Sequence, residues 1–144
     1  MKENTNVAIQ GVKGSFHHAV ANSYYGKNLS LMECETFDAT VNALMDNSAD
    51  QAVMAIENSI AGSIIPNYAL IDQNDLQIVG EYSLSIHHNL IALPRQTFAD
   101  LKEVHSHPMA LLQCKSFFSE HSHIRLVEAE DTAELNNAAT TIAR

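Results

Sequence analysis

Three times within its first 75 or so residues the chain lays down a short apolar run, interrupts it with glycine or a polar cluster, and follows it with a stretch of helical period. Val7-Ala8-Ile9-Gln10 stops at Gly11, a turn runs through Val12-Lys13-Gly14-Ser15-Phe16, and residues 17–25 are helix-compatible. Residues 29–34 read as the next strand. Phe37, Val41, Leu44 and Met45 then fall at i, i+4, i+7 and i+8 on one face of a helix over residues 37–45. Gly26 and Asn47 are natural helix stops. Residues 52–56 form a continuous apolar run without alternation, the pattern of a parallel strand covered on both faces. A helix over residues 64–71 should follow, with Pro66 in its first turn and Gln73-Asn74 closing it. Three successive β-then-α units point to a layered α/β fold.

Residues 76–93 break that rhythm. Leu76, Ile78, Leu84, Ile86, Leu90 and Leu93 stand in β-rich sequence with no helix between them, which suits an extended crossover between two lobes. Beyond Pro94 the spacing predicts a strand ending at Ser106, a helix over 108–119, a strand over 124–129 and a helix from Thr132 to the terminus. At 144 residues the chain can bury a core without disulfide or metal staples, as one domain or as two small lobes sharing a hinge.

Asp and Glu number 17 against 8 Lys and Arg, a net charge of −9, and no segment gathers the cations into a patch. That excludes nucleic acid and anionic membrane as expected partners. Cys34 and Cys114 stand far apart in unrelated contexts, and the N-terminus has no apolar run of signal-peptide length. No stretch approaches the roughly 18 to 20 apolar residues of a bilayer span. A soluble cytoplasmic protein with reduced thiols is expected.

Four strand-to-helix junctions draw the chemical interest: Gly11 to Phe16, Glu57 to Ser63, Ser106-His107-Pro108, and Asp131-Thr132. Free N–H groups at a helix start, with the positive end of its dipole, bind small anions, so a cation-poor chain can still hold a carboxylate there. Gly11-x-x-Gly14 by itself is no more than a turn that permits close packing. Glu57-Asn58-Ser59 is more telling, because capping needs one polar side chain and three stand together with Gly62 nearby. Ser106 and Pro108 are ordinary helix-start residues, and His107 reads equally well as a cap or as a site residue.

The 8 histidines cluster as His17-His18, His87-His88, His105-x-His107 and His121-x-His123. None of these pairs has a cysteine or carboxylate at zinc-ligand spacing, so they read as structural histidines and no metal is expected. His121 and His123 follow a helix end, where the dipole favours them. No serine sits in a G-x-S-x-G elbow, which sets aside serine nucleophile chemistry.

Taken in order, these residues resemble the prephenate dehydratases. Residues 7–16 are similar to the family's opening strand and G-x-x-G-[ST]-[FY] turn, and Ala55-Ile56-Glu57-Asn58-Ser59-Ile60-Ala61-Gly62 to its P-I-E-N-[ST]-x-x-G signature. Ile78-Val79-Gly80-Glu81 and Ile86-His87-His88-Asn89-Leu90 resemble I-x-G-E and I-x-H-x-L. Ser106-His107-Pro108 with Gln113-Cys114 resembles S-H-P-Q-x-L-x-Q-C, and Asp131-Thr132-Ala133 the S-T-A helix start.

The resemblance implies an α/β, two-lobed fold like type II periplasmic binding proteins, with substrate between the lobes and the second lobe incomplete. Residues 1–80 would be the first lobe, and 81–144 the crossover and part of the second. It implies decarboxylative dehydration of prephenate to phenylpyruvate, water and carbon dioxide, without a cofactor, by general acid catalysis and electrostatic positioning. Glu57, Asn58 and Ser59 would line the substrate pocket, with Ser15, His88, Ser106, His107 and Thr132 around them. The family's catalytic threonine, in a Thr-Arg-Phe motif, and its phenylalanine-binding ACT domain would fall beyond Arg144. A weakly active or inactive fragment is therefore expected, as is a homodimer, because an unpaired sheet edge invites pairing. Met109 stands where the family commonly has glutamine, which removes an amide donor and acceptor. The alternative is a non-catalytic module of the same fold that senses a small carboxylate.

Overall fold

A computed structural model describes residues 5–129 and, as backbone, residues 140–143. The chain divides into two compact units, Met1–Leu84 and Ser85–Arg144.

The first unit is built around strand β1 (Asn6–Gln10), which lies between β2 (Ser30–Cys34) and β3 (Gln51–Val53) in a parallel sheet of order β2-β1-β3. Ile9 sits opposite Glu33 on one side and Val53 on the other. The two-residue period of a strand sends Val7 and Ile9 to one face and Ala8 to the other, and all three are fully buried. Val7 and Ile9 pack with Ala21 and Tyr25 of α1 (Phe16–Tyr25). Ala8 packs with Ala43 of α2 (Phe37–Met45) and with Ala49. One helix thus covers each face of the central strand, the α/β layering expected from the sequence. Burying a side chain such as Val7 or Ile9 contributes about 1.5–3 kcal/mol.

Local chemistry fixes the helix ends. Ser15 Oγ accepts the His18 N–H (3.2 Å) at the start of α1, and Gly26, at φ 85°, ends it. Thr36 Oγ1 accepts the Ala39 N–H (3.1 Å) at the start of α2, and Asn47, at φ 62°, follows its end.

The strand expected over 52–56 is shorter, stopping at Val53. Its partner β1 ends at Gln10, and Gly11, at φ 96°, turns away to donate its N–H to the Cys34 carbonyl (2.8 Å). Among the described residues no strand pairs with the chain just beyond Val53. Residues 57–63 then form a small hairpin, β4 (Glu57–Asn58) against β5 (Gly62–Ser63), before α3 (Ile65–Gln73). Residues 77–88 take up no regular element. Gly80 is required there for space, because a Cβ at that position would lie 2.0 Å from the Tyr24 hydroxyl.

In the second unit the strands β6 (Asn89–Ala92), β7 (Glu103–Ser106), β8 (Arg125–Glu128) and β9 (Thr140–Ala143) form a mixed sheet of order β6-β9-β7-β8. Leu101, Val104, Leu111, Phe118 and Ile124 make its core, with Leu90 and Cys114 packed against them. Two expectations are corrected. The helix expected over 108–119 is two, α4 (Pro108–Gln113) and α5 (Lys115–Ser119), because Cys114 leaves helical geometry at φ −95°, ψ 5° and shares its N–H between the Ala110 and Leu111 carbonyls. The terminal helix gives way over 140–143 to β9, which pairs antiparallel with β6 and parallel with β7. Thr140, Thr141 and Ile142 are β-branched, and their stiff side chains suit a strand better than a helix.

Two outcomes follow from this packing. Gly80→Ala should lower stability by about 1–3 kcal/mol, since the Tyr24 ring must move aside; thermal unfolding measures it, and trimming Tyr24 to alanine should remove most of the penalty. The Glu103 carboxyl is held below the usual glutamate range, first by Arg125 directly across the strand pair and then by His105, 3.1 Å away. A lowered folded-state value means stabilisation that is present above the unfolded value and lost as pH falls through the folded one. The melting-temperature gap between the native chain and Glu103→Gln should therefore be open at pH 7 and close below about pH 4.

Candidate active site

In the first unit the chain passes from β1 to β2 on one side and then to β3 on the other. The crevice outside the carboxyl ends of β1 and β3 is therefore the place where an open α/β sheet takes a ligand. Two sequence-predicted segments leave the sheet at that point. One is the turn from Gly11 to Ser15, and the other runs through residues 54–58.

The turn is held from within. Gly11 and Gly14 both adopt positive φ, at 96° and 95°. Lys13 donates its N–H to Glu33 Oε1 (2.5 Å), and Gly14 donates its N–H to His18 Nδ1 (2.9 Å). The other ring nitrogen of His18, Nε2, lies 2.9 Å from Asn22 Nδ2, so the ring bridges the turn and α1. Ser15 is committed to capping α1, so its hydroxyl helps to shape the turn.

The second segment leaves β3 without a strand neighbour, yet its backbone groups are paired. The Ala55 N–H donates to His17 Nε2 of α1 (3.2 Å), and the Ala55 carbonyl accepts Asn67 Nδ2 of α3 (2.7 Å). Asn67 is 2% exposed. Two side chains from two helices thus hold both backbone polar groups of one residue, two positions ahead of Glu57. His17 has the structural role its pair was read to have, whereas sequence reasoning missed Asn67, whose signal was a polar side chain in the first turn of α3.

Glu57, Asn58 and Ser59 stand in a hairpin, which corrects the strand-to-helix junction expected there. The start of α3 has Ile64 at its cap and no side-chain cap bond, so the polar trio does not serve helix capping. Asn58 Oδ1 accepts the N–H groups of Ile60 (2.9 Å) and Ala61 (3.0 Å), which builds the loop. Glu57 Oε1 accepts from Tyr68 Oη (3.1 Å) and Ser63 Oγ (3.3 Å). Burial first, then this bond, then the nearby Glu57 and Glu81 carboxylates push the Tyr68 phenol above the usual tyrosine range. Ser59 is exposed in the loop. A groove of about 520 Å³ lined by Gln10, Thr36, Phe37 and Asn67 contains none of the predicted site residues.

In the second unit Ser106 is fully buried at the end of β7, and its carbonyl accepts the Ala129 N–H (3.0 Å). His107 caps α4, its Nδ1 accepting the Met109 N–H (3.2 Å), and Met109 is 39% exposed. His88 Nε2 donates to Gln113 Oε1 (2.5 Å), joining two motifs 25 residues apart. Gln113 stood in a quoted motif but was not singled out from the sequence as a site residue. Thr132 lies outside the described residues. His121 rests against Phe98 and Phe117, with ring centres 4.7 and 4.8 Å away, an aromatic packing role. Burial pushes the Cys114 thiol up, which suits packing over reactivity.

The chain matches the prephenate dehydratase family over residues 7–143. It is 39% identical over 127 residues to arogenate dehydratase/prephenate dehydratase 2 of Arabidopsis thaliana, covering 88% of this chain and 33% of the relative. Among solved structures it superposes on the prephenate dehydratase of Staphylococcus aureus with a TM-score of 0.79 at 24% identity, covering 96% of this chain and 54% of that one. It is also similar to GqqA, described as a novel type of quorum-quenching acylase, with a TM-score of 0.74 at 29% identity, covering 96% of this chain and 53% of that one. The chain belongs to the prephenate dehydratase family. Its fold is the α/β, periplasmic-binding-like one of those structures, and it spans about a third of the curated relatives' length and about half of the solved chains.

Replacing His17 or Asn67 by leucine strands one polar group of Ala55, and each change should cost about 1–3 kcal/mol in urea unfolding. Because both act on the backbone of one residue, the double variant should lose less than the sum. Strict additivity would show that the two bonds are independent.

Proposed function

We propose that this chain is the substrate-binding part of a prephenate dehydratase, the enzyme that converts prephenate to phenylpyruvate with loss of water and carbon dioxide. The observation that carries this reading is the pairing of family match and geometry: a match over residues 7–143, with Glu57 and Asn58 presented on a hairpin at the sheet's switch point. The chemistry asks for acceptors and donors that position the leaving hydroxyl, and for N–H groups that receive carboxylates. On this reading Glu57, Asn58, Ser59 and Ser15 of the first unit, and His88, Ser106 and His107 of the second, serve the substrate, and Thr132 joins them. Gln113 extends that set through its bond to His88. Met109 leaves the site without an amide that a glutamine would supply.

The family's Thr-Arg-Phe motif does not occur within these 144 residues. We take residues 1–80 as the first lobe and 81–144 as the crossover with part of the second. The partners we propose are the small-molecule substrate and a second copy of the chain, with neither nucleic acid nor membrane involved, given the net charge of −9. Among the described residues no helix is long and apolar enough to cross a membrane. A cytoplasmic site is our reading of the unpaired thiols of Cys34 and Cys114.

The test is prephenate binding by calorimetry beside phenylpyruvate formation by absorbance, run in parallel with arogenate because the plant relatives carry that name. The expected result is saturable binding of prephenate. Absence of binding to either compound would overturn the assignment.

A further inference from the structure

Glu57 is the one carboxylate presented by the hairpin, and what it offers a ligand depends on which of its oxygens is occupied. Both protein donors that reach it, the Tyr68 phenol at 3.1 Å and the Ser63 hydroxyl at 3.3 Å, converge on Oε1. Among the described residues Oε2 accepts no hydrogen bond. The two donors have different anchors. Ser63 lies across the hairpin, where Glu57 and Ser63 are paired residues of β4 and β5. Tyr68 comes from the first turn of α3, immediately after the buried Asn67 that holds the Ala55 carbonyl. Consecutive residues of one helix turn therefore fix the backbone leading into the hairpin and the carboxylate at its start.

We propose that Tyr68 is a positioning residue for Glu57: its hydroxyl pins Oε1 and leaves Oε2 as the oxygen that accepts a hydrogen bond from a ligand hydroxyl. This rests on the dehydratase reading and deepens it, since the ligand group concerned is the hydroxyl that the reaction expels. An acceptor held in this way orients the hydroxyl before it leaves. A carboxylate free to rotate about its last bond would spread its lone pairs over many directions and lose that orientation. Ser63 alone cannot hold it, because its own bond is the longer of the two and lies across an exposed two-residue ladder.

The test uses the whole chain and two independent readouts. The first reads the contact itself. Tyr68 should ionise at higher pH than an ordinary tyrosine in an ultraviolet titration, and Glu57→Gln should return it toward the ordinary value, with Tyr68→Phe identifying the signal. The second reads the role, as prephenate affinity by calorimetry. Tyr68→Phe, which removes one oxygen and keeps the ring, should weaken binding about 3- to 10-fold while leaving the melting temperature within a few degrees. In a Glu57→Gln background the same change should have almost no effect, because the group it positions is gone. Unchanged affinity in Tyr68→Phe, or equal losses in both backgrounds, overturns the positioning role and leaves the dehydratase reading intact. If the native chain binds no prephenate, that reading falls and the role of Tyr68 falls with it, whatever the titration shows.

Discussion

The backbone of Ala55 is the point on which the candidate site of the first unit depends. It lies just past the end of β3, where the sheet has stopped and backbone groups would ordinarily turn to water. His17 takes its N–H and Asn67 takes up its carbonyl, so a stretch without strand neighbours is held nearly as firmly as a strand. A buried backbone group left unpaired costs about 1–3 kcal/mol, about twice the net gain of an average bond. The side chains are therefore obligatory partners once the chain leaves the sheet here. They also tie α1, which begins at the Gly11 to Ser15 turn, to α3, which supplies Tyr68. Both segments at the switch point share one scaffold.

Much of the first unit was legible in the sequence because its signals are local. The apolar triplet Val7-Ala8-Ile9 and the stops Gly26 and Asn47 each act through neighbours a few residues away, whereas the caps Ser15 and Thr36 went unread. The length of β3 was not legible in this way. Residues 54–56 are as apolar as residues 51–53, and only the turn at Gly11, which takes β1 away, ends the pairing. The hairpin at Glu57 was hidden for a related reason: Asn58 closes its loop with a side-chain oxygen, and the same residue reads equally well as a helix cap. In the second unit the bond between His88 and Gln113 joins segments whose only sequence trace was membership of two separate motifs. The break at Cys114 left no trace at all, since nothing in Gln113-Cys114-Lys115 excludes a continuous helix.

Family membership explains why these residues occur together, and the geometry explains what several of them do. The glycine of Ile78-Val79-Gly80-Glu81 makes room for the Tyr24 ring, which brings this extended segment against α1. The serine of the G-x-x-G-S turn caps a helix, and the histidine of Ser106-His107-Pro108 does the same for another. Residues that resemble a catalytic signature thus shape the frame as well, while Glu57 presents an exposed carboxylate with Oε1 held by Tyr68 and Ser63.

The placement of β9 bears on how the protein comes into being on the ribosome. The first unit's sheet uses strands that follow one another closely, and all three have been synthesised once Val53 has emerged. The second unit's sheet is different, because β9, made after the other three strands, lies between β6 and β7. Until residues 140–143 have cleared the exit tunnel, β6 and the β7–β8 pair have no strand to join them. The first unit can therefore fold while synthesis continues, whereas the second must wait with two strand edges exposed, and during that interval the nascent chain is most in need of a chaperone.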